Sequence, residues 1–242
     1  MFNRFSAAAI VVAAILCSPR AHAAGTFAFA PVTGDADSGI SAAKTYTHAV
    51  DFGAGGNSGG FPNLVDTGTT VNGVTFHIGG PSGPGYTSTG LLNYIGTSPW
   101  TTSVPPGENT LGDLLNDFYW RNAFADQTVT LTGLTPGTPY VTTFYNAGWE
   151  AGARRVVTVT ASDGGSTTFD QNFTGHARPN VLRYAFVAAG PSVTYTFTPA
   201  DARNGFHQYG FTNEVVPEPA ALSAAGLAAV LLLRRRRRRL RP

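Results

Sequence analysis

The chain has 242 residues with 16 Lys or Arg, 14 Asp or Glu and a formal net charge of +2. Arg4, Arg20, Arg241 and the six arginines at 234–239 sit at the two ends, so the body between them is net acidic and the basic total points to no nucleic-acid partner. The only cysteine is Cys17, which rules out a disulfide framework and a cysteine-ligated zinc site.

Arg4, the apolar run 7–17 and the small residues Ala21 and Ala23 follow the layout of a secretory signal peptide, residues 1–23, with cleavage expected after Ala23. The run is too short to span a bilayer. Cys17 leaves with it, and Leu16 stands where a lipoprotein site would need a small residue.

Residues 24–214 read as one all-β domain. Short runs of β-branched or aromatic residues at period two begin near Thr26, Lys44, Thr69, Gln127, Pro139, Arg154, Val181, Ser192 and Gly205. In "SVTYTFTP", Val193, Tyr195 and Phe197 share one face and the threonines the other, as in an antiparallel sheet wet on one side. Asp163-Gly164 between two such runs predicts a hairpin turn. The spacing predicts an antiparallel β-sandwich of jelly-roll type with one short helix. That helix is expected in "ENTLGDLLNDFYWRN", capped by Asn109, with Leu111, Leu114, Leu115 and Phe118 on its apolar face and Asp113 and Asp117 on a solvated one.

Residues 215–242 have three parts: Pro217-Glu218-Pro219, an apolar stretch 220–233 expected as a transmembrane helix, and an arginine cluster 234–241 that includes Arg234, Arg235 and Arg236. As a helix the stretch reaches ~21 Å, short of a ~30 Å hydrocarbon core, and snorkelling arginines and local thinning make up the difference. The cluster holds the C-terminus in the cytoplasm and the body outside.

This three-part order resembles the PEP-CTERM sorting signal of Gram-negative bacteria. The resemblance implies recognition by an exosortase-type membrane protease, removal of the tail, and transfer of the body to the cell surface or extracellular matrix. A permanent inner-membrane anchor is the alternative and has the same orientation. The stretch from Leu111 to Val215 resembles the galactose-binding-like or carbohydrate-binding-module-like jelly rolls, which implies a fold more than an activity.

"GNSGG" at 56–60 looks like the nucleophile loop of a trypsin-type protease, but glycines and prolines surround Ser58, and His48 and Asp51 lie only a few residues upstream. The histidines form no zinc-binding pair, and His48 reads as a hydrogen-bonded residue sharing a strand face with Tyr46 and Val50. Asp35 and Asp37 in "GDADSG" offer oxygen ligands for a structural calcium, while a solvated turn is the simpler reading; no other cofactor is expected. Trp149 with Tyr145, Glu150 and Arg154 around "NAGWEAGARR" form the candidate sugar-contacting group, aromatic faces for stacking and charged groups for hydroxyls. The expectation is an exported, non-catalytic matrix or envelope protein that associates with extracellular polysaccharide. A polysaccharide hydrolase is the runner-up.

Overall fold

The computed structural model describes residues 23–52, 69–91, 93–95, 110–121, 125–149, 154–200 and 205–217. The tail from Glu218 onward, with Pro219 and the arginines, lies outside them, as do residues 1–22, the GNSGG segment at 56–60 with Ser58, and Glu150. Among the described residues no helix is long and apolar enough to cross a membrane.

In chain order the strands are β1 (Thr26–Pro31), β2 (Thr45–Asp51), β3 (Thr70–Val71), β4 (Val74–Thr75), β5 (His77–Ile78), β6 (Ser82–Gly83), β7 (Tyr86–Thr89) and β8 (Asn93–Ile95). After helix α1 (Leu111–Leu114) come β9 (Phe118–Trp120), β10 (Gln127–Thr132), β11 (Pro139–Ala147), β12 (Val156–Ala161), β13 (Ser166–Asp170), β14 (Pro179–Val187), β15 (Ser192–Pro199) and β16 (Gly210–Val215). Sheet 1 has the order β1-β14-β11-β16-β2-β5 and sheet 2 the order β13-β12-β15-β10-β7-β6. Every pairing is antiparallel except β2 with β5. This is an antiparallel β-sandwich of jelly-roll type, as the spacing of the alternating runs predicts.

The alternation sets the layers. In β15 the burial follows the pattern of the sequence, with Val193, Tyr195 and Phe197 in the core and the threonines outward. Across sheet 2 the outward positions line up as hydroxyl rows, Thr87–Thr130–Thr194 and Thr89–Thr128–Thr196–Thr160–Ser166. Neighbours bond directly, Thr89 to Thr128 at 2.7 Å and Thr130 to Thr194 at 2.9 Å. The β12–β13 hairpin turns at Asp163-Gly164, where Gly164 takes φ 98°, a conformation open to glycine at no steric cost.

The main core fills the space between the sheets and is rich in aromatic side chains: Phe144, Tyr195, Phe197 and Phe211 are all fully buried there. A second core covers half of the outer face of sheet 1. Segments 32–40, 69–76 and 110–118 fold over it and bury Tyr145, Val181 and Tyr209 from the far side. Hence β11 starts half-exposed at Pro139 and Val141 and ends buried on both faces from Thr142 to Ala147.

Three expectations are corrected here. The predicted helix stops after Leu114: Thr110 caps it, accepting from the Asp113 amide at 3.3 Å, and Phe118 belongs to a strand paired with β8. Tertiary pairing wins, because Phe118 is fully buried and stacks on His207 with ring centroids 4.1 Å apart. Asp117 is buried rather than solvated, and Asp113 accepts a hydrogen bond from Thr69. In β2 a bulge opposite Asn213 and Glu214 breaks the period, so Tyr46 packs on the second core while Val50 lies in the first and His48 turns toward Phe211. The run expected from Gly205 pairs as a strand only from Gly210, since Gly205–Tyr209 is buried chain held by the reciprocal Tyr119–Gln208 bridge.

Candidate functional site

The segment between β13 and β14 is firmly built. Successive turns fold it: the Phe173 amide donates to Asp170 O (3.0 Å), Gly175 to Asn172 O (2.9 Å) and Arg178 to Gly175 O (3.4 Å). Underneath, the buried Gln171 amide group donates to Asn146 Oδ1 (3.0 Å) and His207 O (2.7 Å) and accepts from the His207 amide (3.1 Å). Asn180 donates to Gln171 O and to the Thr174 hydroxyl. Gly148 lets the β11 end approach closely, because a Cβ there would lie 2.1 Å from Gly175 O.

This loop projects Phe173 beside Phe29 of edge strand β1, with ring centroids 5.3 Å apart in an edge arrangement. Both are exposed, Phe29 at 48% and Phe173 at 38%, and both lean on Phe169, which is fully buried. Next to the pair runs a groove of about 470 Å³ lined by Val32, Thr33, Phe173, Thr174, Arg178 and two prolines. Its lining combines apolar rings, two hydroxyls and one guanidinium, the mixture that holds a small polar ligand by a face and a few hydrogen bonds. Among the described residues no carboxylate, histidine or cysteine lines it.

The residues singled out in the sequence are distributed around this loop. Trp149 is half-buried, its ring edge-on to Phe118 (5.0 Å) and its amide donating to Asn172 Oδ1 (2.9 Å), so it packs more than it displays. His176 Nδ1 bonds the Trp149 carbonyl at 2.8 Å. Arg154 is exposed and pairs with Asp170 at 3.1 Å, whose other oxygen receives the Arg155 and Asn172 amides. Tyr145 does not face a ligand: it is 2% exposed under the second core, edge-on to Phe76 and bonded to Thr212. Trp149 and Arg154 thus flank the loop that carries Phe173, and Tyr145 is a core residue.

Asp35 and Asp37 staple loops. Asp35 Oδ1 accepts from the Leu111 amide (2.7 Å) at the start of α1. The Asp37 carboxylate accepts from the Thr33 amide and hydroxyl and from the Gly34 amide. Desolvation pushes the Asp37 carboxyl up, and the hydrogen bonds from Thr33 and Gly34 outweigh it, holding the group below the ordinary carboxylate range. Among the described residues no group of three His, Cys, Asp or Glu side chains is placed to hold a metal ion.

Two histidines are buried. His48 Nε2 donates to Gly85 O at 2.8 Å, and burial lowers its pKa below 6.5 while that bond pulls the other way. Burial, helped by the Arg155 charge, lowers His207 well below 6.5. Both rings are neutral in the fold, whereas in the unfolded chain they take up protons near pH ~6.5. The unfolded state therefore binds more protons below that pH. Stability is full above about pH 6.5 and is lost as the pH falls through the folded-state values. Urea midpoints are expected to hold level down to about pH 7 and to decline steadily toward about pH 5. A midpoint unchanged across that range would contradict neutral, buried rings.

Sequence reasoning missed Phe29, Phe173 and Arg178. Phe173 did leave a trace, an aromatic within the glycine- and proline-punctuated "NFTGHARP", outside any alternating strand that could bury it.

No family model matches the chain, and no curated protein matches it. Among solved structures it is similar to the ANX2 ectodomain from Arabidopsis thaliana, at 14% identity and TM-score 0.49, over 62% of this chain and 48% of that one. The chain thus spans about half the length of that ectodomain. It is also similar to CBM35 from Cellvibrio japonicus Abf62, at 16% identity and TM-score 0.34, over 54% of this chain and 88% of that one. A family 35 carbohydrate binding module from Clostridium thermocellum is similar at 10% identity and TM-score 0.33, over 53% and 90% of the two chains.

Proposed function

We propose that this chain is an exported, surface-sorted β-sandwich that associates with extracellular polysaccharide without cleaving it. The exposed Phe29–Phe173 pair beside the Thr33, Thr174 and Arg178 groove supports this reading. Flat rings take the C–H face of a pyranose, while hydroxyl and guanidinium groups meet its oxygens. Among the described residues the groove's lining offers no carboxylate or imidazole. Export rests on the signal-peptide layout of residues 1–23. Sorting rests on Pro217, Glu218 and Pro219, the apolar stretch 220–233 and the arginines beyond it, which make an inner-membrane anchor until an exosortase-type protease removes them.

Retention on a panel of insoluble polysaccharides tests the binding. Phe29→Ser and Phe173→Ser each remove a half-exposed ring worth about 1 kcal/mol of contact, so each is expected to weaken retention roughly fivefold, at a cost of about 1 kcal/mol in stability from the half packed on Phe169. Release of reducing ends by the unaltered protein would favour the hydrolase instead. The intact mass of the exported protein tests the sorting: arginines still present on the surface form would leave a permanent anchor.

A further inference from the structure

Both ends of the sandwich emerge at the same pole. Ala23 and Ala24 lead into β1 at Thr26, and just after β16 the Val216 amide donates to Pro139 O at 3.0 Å. Together they line a second groove, of about 390 Å³, on the uncovered half of the outer face of sheet 1, with Val141, Ala185 and Val187. Val187 is 38% exposed. Among the described residues no charged side chain lines this groove.

The turns around it are short and nearly free of charge. Residues 84–85, 133–138, 162–165 and 188–191 contain one charged side chain, Asp163, whose carboxylate is taken by the Tyr184 hydroxyl and the Gly25 amide. Glu214, which pairs with Val141 across the sheet, is neutralised by Lys44 at 2.8 Å. The Phe29–Phe173 groove lies at the opposite pole: β1 enters from the apolar groove at Thr26 and reaches the aromatic one at Pro31. Six strand residues put the two grooves about 20 Å apart.

Only residues 217–219 separate Val216 from the apolar stretch that begins at Ala220. Fully extended, they span at most about 10 Å. A stretch 220–233 inserted in a bilayer therefore holds this pole, and no other, within about that distance of the lipid. Apolar side chains lose nothing by resting there, and the one charge that cleavage after Ala23 creates, the amino group of Ala24, stays in the headgroup layer beside anionic phosphates rather than in the hydrocarbon.

We propose that, while the chain is anchored, the pole carrying Ala24, Val187 and Val216 rests on the lipid surface and the Phe29–Phe173 groove is presented away from it. This rests on the anchoring described under Proposed function. It gives the tail a second consequence besides address: the ligand groove faces outward from the moment of export.

Depth-sensitive fluorescence tests it. The full-length chain with Cys17→Ser carries a single new thiol, either Val187→Cys or Phe173→Cys, labelled with an environment-sensitive dye. The protein is reconstituted into phosphatidylcholine–phosphatidylglycerol vesicles whose headgroups bear a nitroxide quencher. The label at 187 is expected to lose most of its emission and the label at 173 to keep it. Equal quenching at the two positions, or quenching at 173 alone, overturns the proposed orientation while leaving the anchor intact. A label at 187 already shielded before vesicles are added, by a second copy or by the chain's own tail, also overturns it. Failure of the chain to float with the vesicles overturns both the anchor and the orientation.

Discussion

Phe211→Ala is expected to lower the unfolding free energy by about 3–5 kcal/mol, read from the urea midpoint at unchanged slope. Phe211 sits on β16, an interior strand of sheet 1, with no exposed surface. Its ring contacts Phe52 and Tyr86 at 5.6 Å each and Phe144 at 5.9 Å, and it backs the buried His48 at 6.3 Å. These partners come from three strands or their ends, β2, β7 and β11, so none can relax into the void without moving a strand of either sheet. The hole therefore stays largely open, which puts the cost toward the upper part of the range for large-to-small changes. A small domain holds a total of about 5–15 kcal/mol, so the variant keeps only a fraction of its stability. A loss below about 1 kcal/mol would mean that this aromatic cluster does not set the core.

Gln171→Leu is expected to cost nearly as much by another route. Its volume is kept, but three buried groups lose their partner: Asn146 Oδ1, the His207 carbonyl and the His207 amide. Each polar group left buried without a partner costs about 1–3 kcal/mol, so a total of at least about 3 kcal/mol follows. The same residue ties the segment 205–209 to the loop that projects Phe173. Retention on polysaccharide should therefore fall together with stability, and amide exchange should quicken at residues 172–178 before it does in β15. Exchange rates unchanged in that loop would show that its turns hold it without the buried amide.

Much of this architecture is legible in the chain. The alternation of Ser192–Pro199 fixes both its strand state and its buried face, and Asp163-Gly164 marks the hairpin, because period and turn chemistry are local properties. What escapes is decided by contacts distant in sequence. Phe118 has helical spacing from Leu111 and Leu114, yet it goes to a strand because β8 and His207 are there to receive it. Tyr145 reads as an aromatic near a glycine-rich turn, and nothing nearby reveals that segments 32–40 and 69–76 roof its side of the sheet. The aromatic groove is less legible still. Phe29 and Phe173 are 144 residues apart, and they meet only because β1 and β13 are edge strands of different sheets that lie side by side. Phe29 has the alternation of a buried residue and is exposed by that edge position alone.

The outer face of sheet 2 has a consequence for the surroundings in which such a protein would work. Its central rows, from Thr89 across Thr128, Thr196 and Thr160 to Ser166, consist of short hydroxyl side chains that carry no charge. Changes of salinity have nothing there to screen, and ordinary shifts of acidity have no proton there to move. The same array of hydroxyls is therefore presented at low and at moderate salt.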